Sequence, residues 1–470
     1  MKVVFTQAPF VLVNGEFKSY APKLFVQKLI RTIQYFTGKK IPYFYDWNNL
    51  RKGVRAGSRW PFSFPTTGIC FNRYYPFPFM MAYSAALVKS KGYDVDIIDS
   101  IVNNECSYEH YIKDIKRAKA DIVVLECAEI TMKIDLKMAE KISKFTEVAL
   151  AGPHLNRELA EEVHKKAPYI KYILMGEYIK SSLKAVETRE PGIYESEIVT
   201  DFDSLPFAFR DFKNADKYMD GSAGGEIRPQ LQMYASKGCP FKCKFCLWPQ
   251  LMYKGTVAQR SPKSVADEIR ENLKKFPYAN IFFDDDTFNV GTERISELCD
   301  YLKEIGIPWT MMGRLDCSPL WLYDKMVDSG CIGMRFGIET FDIECLKRIN
   351  KGIERVDFVE NLKHISEKYP ELFIHVTMMQ DMPGQTEEIH KKDMEILGSL
   401  GFSPYSTRRS YQLSRCAPYK GTVLYKELEE ALGKEYLEKN LSVDGMQDTI
   451  MTKLNREGFW QKAEKVEQKV

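Results

Sequence analysis

Three cysteines, Cys239, Cys243 and Cys246, lie in the run S-K-G-C-P-F-K-C-K-F-C-L-W that begins at Ser236. Three thiolates on one short loop, spaced C-x3-C-x2-C, can hold three irons of a [4Fe–4S] cube, because thiolate ligands and iron–sulfur clusters are both soft. The fourth iron is then left without a protein ligand, so a small molecule can bind it, which a plain electron carrier does not need. Two other chemistries compete. A structural zinc site takes four ligands, usually as two separated pairs, and no second Cys or His pair at such spacing appears within about forty residues after the triplet. A thioredoxin-like pair at Cys243 and Cys246 leaves Cys239 unexplained.

Further downstream the chain repeats a pattern of charged or turn-forming residues at the ends of apolar runs. Phe283-Asp-Asp-Asp-Thr-Phe288 sets Asp284, Asp285 and Asp286 side by side. Adjacent carboxylates repel and need cationic partners, an amine or a lysine. Gly313-Arg-Leu-Asp316 offers Arg314, whose guanidinium can fork onto a carboxylate or phosphate. Arg335-Phe-Gly-Ile-Glu339 combines a glycine that admits close backbone approach with the carboxylate of Glu339. Met382-Pro-Gly-Gln-Thr386 is a Pro-Gly turn that starts a helix. Any one of these alone is weak, since Asp is common in caps and turns. Their order, one per strand end, carries the information.

The elements that position them alternate. Residues 231–415 read as six strand–helix units, with strands at 230–235, 280–284, 309–312, 333–337, 373–379 and 411–414 and helices between them. Such a run predicts a partial (β/α)6 TIM-like barrel with functional residues at the carboxyl ends of its strands. The cysteine loop follows the first strand, as that geometry requires. Residues 1–185 alternate in the same way, with strands near 3–6, 93–99, 121–126, 148–151 and 169–175, and predict a Rossmann-like parallel sheet with ligands beyond its carboxyl ends. The fold class is thus α/β. The domains expected are 1–185, interrupted by an aromatic and basic insertion at 11–75; a linker at 186–230; a barrel at 231–425; and a helical extension at 426–470. The insertion is too aromatic for disorder and is expected to pack over the ligand face, around residues 55–60.

Composition narrows the partners. Lys plus Arg, 67, nearly balances Asp plus Glu, 64, so the basic footprint of a nucleic-acid binder is absent. The longest apolar stretch, 76–88, is too short to span a bilayer and reads as a buried helix. The opening M-K-V-V-F-T reads as a strand rather than a leader. With eleven cysteines, this points to a reducing, cytoplasmic setting.

Taken together, the motifs resemble the radical SAM enzymes that carry an N-terminal B12-binding-like domain. The resemblance rests on the cysteine triplet, Arg260-Ser-Pro, Phe283-Asp-Asp-Asp-Thr-Phe, Gly313-Arg-Leu-Asp, Gly330-Cys, Phe336-Gly-Ile-Glu, Asn350-Lys-Gly, Pro383-Gly-Gln-Thr and Pro418-Tyr-Lys-Gly-Thr. In the first half it rests on Tyr75-Pro-Phe-Pro, Gly152-Pro-His and Gly176-Glu. It implies a [4Fe–4S] cluster on Cys239, Cys243 and Cys246 whose open iron chelates S-adenosylmethionine (SAM). Electron transfer then releases a 5′-deoxyadenosyl radical. It also implies a flavodoxin- or ferredoxin-type electron donor and a small-molecule or biosynthetic substrate. By the same resemblance, the methionyl part of SAM falls near Asp284, Asp285, Arg314 and Glu339, and adenine near Phe245 and Ile338.

The resemblance brings cobalamin as a third cofactor. The D-x-H-x-x-G motif that supplies a histidine to cobalt is missing, since none of His110, His154, His164, His364, His375 and His390 has Asp two residues before it. Cobalamin without histidine ligation is the expectation, with Gly152 and His154 near the corrin. Three functions stay open on the sequence: cobalamin-dependent C-methylation; a radical cyclisation, rearrangement or oxidation with the sheet domain as scaffold; and a non-catalytic iron–sulfur protein.

Overall fold

A computed structural model of the chain describes residues 1–13, 16–19, 50–55, 63–67, 74–103, 105–221, 223–224, 227–352, 358–441 and 448–460. The chain folds into two compact units, Met1–Val199 with Ser204–Asp220, and Thr200–Asp203 with Gly221–Val470.

In the first unit six strands pair in parallel in the spatial order Gly192–Tyr194, Tyr172–Met175, Glu147–Gly152, Ile122–Glu126, Lys2–Gln7, Asp94–Asp99. Runs such as Ile122–Glu126 are buried at every residue, as strands covered on both faces must be. The helices between them are read from their spacing. In Tyr108–Ala118 the buried residues Tyr108, Tyr111 and Ile115 share one face, and Ser107 caps the start by accepting the His110 N–H at 3.2 Å. From Lys2–Gln7 the chain goes to Asp94–Asp99 on one side and returns to Ile122–Glu126 on the other. Open α/β sheets take their ligands beyond the carboxyl ends of the strands at such a reversal.

Two features depart from the expected layout. Helix Ile179–Thr188 and the edge strand Gly192–Tyr194 carry this sheet past residue 185. Much of the segment read as a linker is also anchored: Met219–Asp220 pairs with Tyr74–Tyr75, and the Phe212 and Tyr218 rings pack on Phe77 at 6.5 and 5.1 Å. Strands of two or three residues have no periodicity to read, and isolated aromatics in a loop do not announce their partners. Within the insertion, Glu16–Phe17, Val11–Val13, Leu50–Arg55 and Ser63–Thr67 form a four-stranded antiparallel sheet in that order. It lies on the carboxyl-end side of the parallel sheet. The Tyr108 hydroxyl bonds the Val11 backbone at 3.1 Å, and Ser63–Thr67 runs beside the turn Glu129–Thr131. Residues 56–60, expected to close over the ligand face, lie outside the described residues.

The second unit is built on six parallel strands in sequential order: Gln230–Met233, Asn280–Phe283, Trp309–Gly313, Cys331–Glu339, Phe373–Gln380 and Arg409–Arg415. All six fall where the alternation puts them. The first and last strands are edges, so this is a partial barrel. Alternate residues on one face, among them Phe283, Met311, Met334, Phe336, Ile374 and Val376, join helix residues such as Val265, Leu298 and Leu362 in one apolar core. Three helices, Val423–Leu432, Lys434–Asn440 and Ile450–Arg456, follow the last strand. Among the described residues no helix is long and apolar enough to cross a membrane.

Candidate functional site

The cysteine loop leaves the end of Gln230–Met233 and is fixed at its base by the acid run of the next strand. Asp285 accepts the Ala235 N–H at 3.0 Å and the Ser236 hydroxyl at 2.6 Å, while Asp286 accepts the Gly238 N–H at 2.7 Å. Ser236–Lys237 pairs with Ala258–Gln259. Gly238 turns the chain at φ +83°, and a Cβ there would stand 2.1 Å from the Thr256 carbonyl oxygen, so only glycine fits. Past the turn, the Gln250 amide donates to the carbonyls of Cys243 at 3.0 Å and Cys246 at 2.7 Å and accepts the Val423 N–H at 2.6 Å. Lys244 is hydrogen-bonded through its backbone to Ile349 and Leu424. The loop is therefore held by backbone bonds from several elements before any metal is considered.

On this loop Cys243 is buried and Cys239 and Cys246 are half-buried. The Cys239 sulfur lies 3.3 Å from the Thr287 hydroxyl. Burial pushes the Cys246 thiol well above its ordinary value, and Cys243, Cys239 and Asp286 add to this; burial likewise raises Cys239, with Asp286 and Cys243 contributing. Three thiolates in such a place become favourable when a cation joins them. No group of three His, Cys, Asp or Glu among the described residues converges as a single metal ion would require. A cube asks for something different, one thiolate at each of three separate corners, and the donor set fits it.

The carboxylates divide their work. Asp284 is buried, its backbone N–H on the Met233 carbonyl at 3.0 Å. Asp285 is fully buried, and burial pushes its carboxyl up to about 6 against the hydrogen bonds from Ser236 and Ala235 and the charge of Arg294. The repulsion foreseen among the three acids is relieved by turning two of them onto backbone N–H groups and by favouring a proton on Asp285.

Arg314 meets a carboxylate, and that carboxylate is Asp316. Nε donates to Asp316 Oδ1 at 2.9 Å and Nη2 to Oδ2 at 2.6 Å, a bidentate fork. Nη2 also reaches the Lys351 carbonyl at 2.6 Å, Nη1 lies 3.7 Å from Cys243 Sγ, and the guanidinium stacks 3.7 Å above the Phe241 ring. Burial works against this charge, but Asp316, with Cys243 and Cys317 adding to it, raises Arg314 above its ordinary value. Asn289 clamps the Arg314 backbone, accepting its N–H at 3.0 Å and donating to its carbonyl at 2.8 Å. A Cβ on Gly313 would stand 2.2 Å from Asn289 Oδ1, which explains that glycine.

Glu339 ends its strand at φ +69°, in the left-handed region unusual for a non-glycine residue. Its carboxylate pairs with the buried ammonium of Lys351, which also donates to the Gly337 carbonyl at 2.8 Å. Phe245 packs against the apolar core that contains fully buried Ile338. In the first unit, Gly152 ends its strand with no room for a Cβ, which would meet the Cys127 carbonyl at 2.8 Å and His154 Cε1 at 3.0 Å. His154 is buried there.

The cysteines, Arg314 and, through Lys351, Glu339 are thus brought together at the carboxyl ends of the second sheet, with Asp285 beneath the loop. Gly152 and His154 stand at a strand end of the first. Sequence reasoning passed over Thr287, Asp316 and Lys351 as individual residues, though each sat inside a motif already singled out. It missed Gln250 and Asn289, whose roles depend on where a side-chain amide points.

Residues 233–397 match the model of the Radical SAM superfamily. An uncharacterized methyltransferase of Pyrococcus horikoshii, PH0819, is 25% identical over 377 residues, 74% of this chain and 78% of its own length. The radical S-adenosylmethionine methyltransferase TsrM from Kitasatospora setae, solved with cobalamin and a [4Fe–4S] cluster bound, superposes with a TM-score of 0.58 at 13% identity over 75% of this chain and 72% of TsrM. The cobalamin-dependent S-adenosylmethionine radical enzyme OxsB superposes at 0.53 with 18% identity, over 77% of this chain and 54% of OxsB. At such identities the superpositions speak for the fold. With the cysteine loop and its strand-end surroundings, the match shows that this enzyme carries a radical SAM domain in its second unit, after a unit built on a six-stranded parallel sheet.

Proposed function

We propose that this enzyme methylates a carbon of its substrate with the help of cobalamin bound to the first unit without a protein histidine. The observation that carries the proposal is the pairing, on one chain, of the triple-cysteine loop with a parallel sheet whose strand order reverses beside Lys2–Gln7. Such a reversal is where open α/β sheets take their ligands. A relative named as a methyltransferase and the fold of TsrM support it.

When bound, the cluster supplies the electron that splits SAM into methionine and a 5′-deoxyadenosyl radical, and cobalamin supplies a methyl carrier. The chain's own residues hold and orient. Cys239, Cys243 and Cys246 give three thiolates. Glu339 presents a carboxylate to the ammonium of SAM, in the place where Lys351 now meets it. Arg314, fixed by Asn289 and Asp316, keeps a positive charge beside Cys243. Phe245 offers a ring to adenine.

A second reading keeps the first unit as a scaffold. One observation favours it: polar side chains already bridge its strand ends. The Tyr178 hydroxyl donates to Glu126, and Asp99 accepts from Gln7 at 2.7 Å and Tyr218 at 2.6 Å.

Anaerobic reconstitution with hydroxocobalamin, desalting, and turnover with methyl-labelled SAM separate the two. Retained corrin absorbance, unchanged in His154→Ala and with no histidine nitrogen splitting in the Co(II) electron paramagnetic resonance spectrum, is expected, together with label in the product. A colourless protein that still cleaves SAM would establish the scaffold reading instead.

A further inference from the structure

An electron spent on splitting SAM has to be replaced from outside the cysteine loop, so a reductant must come close to that loop. Two stretches of the second unit close around it. The Asn350 amide donates to the Lys242 carbonyl at 3.1 Å, and the Lys244 N–H donates to the Ile349 carbonyl at 2.8 Å. The Leu424 N–H donates to the Lys244 carbonyl at 3.0 Å, the Val423 N–H to Gln250 Oε1 at 2.6 Å, and a Cβ on Gly421 would stand 2.7 Å from Leu251 Cδ2. Residues 242–251, 349–350 and 421–424 thus adjoin one another around the buried Cys243.

Their exposed side chains bring positive charge. Lys242 and Lys426 are exposed, as is Lys254, which follows Leu251 in a turn closed by the Gly255 N–H on the Pro249 carbonyl at 2.6 Å. Among the described residues no carboxylate comes within ion-pair distance of these three lysines. The acids nearby are already taken: Glu427 pairs with Lys244 at 2.6 Å and Glu438 with Lys420 at 2.7 Å. Val423, 41% exposed, adds an apolar contact three residues before Lys426 on the same helix face.

From this surface a short bonded route leads inward. Val423 is hydrogen-bonded to Gln250, and the Gln250 amide reaches the carbonyls of Cys243 at 3.0 Å and Cys246 at 2.7 Å. Unmatched lysines around a small apolar contact suit a steered, short-lived encounter with an acidic partner. Electron-transfer complexes are of that small, transient kind.

We propose that Lys242, Lys254 and Lys426 dock the electron donor, a small acidic redox protein of the flavodoxin kind, over the cysteine loop. The donor's reduced flavin loses one electron and the cluster gains it, with no bond made or broken. The transfer rests on the radical SAM function above; the docking of an acidic protein does not.

Calorimetric titration of oxidised flavodoxin into reconstituted protein reads the docking, and stopped-flow reduction of the cluster by flavodoxin hydroquinone reads the transfer. The variant Lys242→Glu, Lys254→Glu, Lys426→Glu is compared with Lys274→Glu, Lys363→Glu, Lys392→Glu, which makes the same charge change on exposed lysines of helices Pro262–Lys275, Phe358–Lys368 and Glu387–Ser399. At low salt the first should bind flavodoxin, and be reduced by it, about tenfold or more less well than the parent. The second should stay within about twofold of the parent, and added salt should bring the parent toward the first variant. Gln at Lys242, Lys254 and Lys426 should give a smaller loss of the same sign. Parent-like binding and reduction in the Glu and Gln variants, an equal loss in the comparison variant, a parent indifferent to salt, or no binding of flavodoxin to the parent would each overturn the proposal. SAM cleavage driven by dithionite, which needs no docking, should be equal in all samples and reports separately on the radical function.

Discussion

At the scale of single residues, Asp285 and Asp286 show how a strand end fixes a metal-binding loop: each spends a carboxylate on backbone N–H groups of the cysteine segment. Asp285 does so from full burial, which pushes its carboxyl up to about 6 from 3.8. Between those values the folded protein keeps a proton that the unfolded chain gives up. Stability therefore falls as pH rises through this window and levels off above about 6. Denaturant unfolding of cluster-free protein and of Asp285→Asn, at pH 4 and pH 7, checks the sign: the parent's advantage over the variant should shrink with rising pH, by up to roughly 3 kcal/mol. A constant gap would remove Asp285 from the account. Gly238 makes a steric test of the same loop. Gly238→Ala drives a methyl against the Thr256 carbonyl at a left-handed φ, so reconstituted iron should fall to a small fraction of the parent's while the circular dichroism spectrum is unchanged.

At the scale of elements, the loop depends on how Gln230–Met233 meets helix Pro262–Lys275. Arg260 joins them. Its backbone N–H bonds the Ala235 carbonyl at 3.0 Å, and its guanidinium reaches the Tyr234 carbonyl at 3.2 Å, Ser264, and the fully buried carboxylate of Glu268. The second Glu268 oxygen has no hydrogen-bond partner among the described residues, so the acid relies on this arginine. Arg260→Met strands a buried charge and should cost about 3–5 kcal/mol. The double variant Arg260→Met, Glu268→Leu should recover most of that, as read by denaturant unfolding. An additive double variant would contradict the pairing. These elements were legible beforehand. Six barrel strands stand where apolar runs alternate with amphipathic helices, because the strands supply four to nine residues of pattern and the main connecting helices nine to fourteen. The strands Val11–Val13 and Glu16–Phe17 of the insertion sheet and the edge strand Gly192–Tyr194 were not legible, since two or three residues carry no period. Likewise, Arg314 was recognisable as a charge at a strand end, but its partner Asp316 follows from a rotamer, and Lys351 was visible only as the middle of a quoted motif.

At the scale of the whole molecule, the described residues include two six-stranded parallel sheets, one in each unit. The second holds the cysteine triplet, and on it the radical function stands or falls. The direct measurement is product analysis of anaerobically reconstituted, dithionite-reduced protein incubated with SAM, alongside Cys239→Ala, Cys243→Ala, Cys246→Ala protein treated identically. The parent should bind one oxygen-sensitive [4Fe–4S] cluster and release 5′-deoxyadenosine and methionine in equal amounts, slowly even without substrate, and the triple variant should do neither. A full cluster and continued 5′-deoxyadenosine release in the triple variant, or a parent that binds the cluster and leaves SAM intact, would contradict the account.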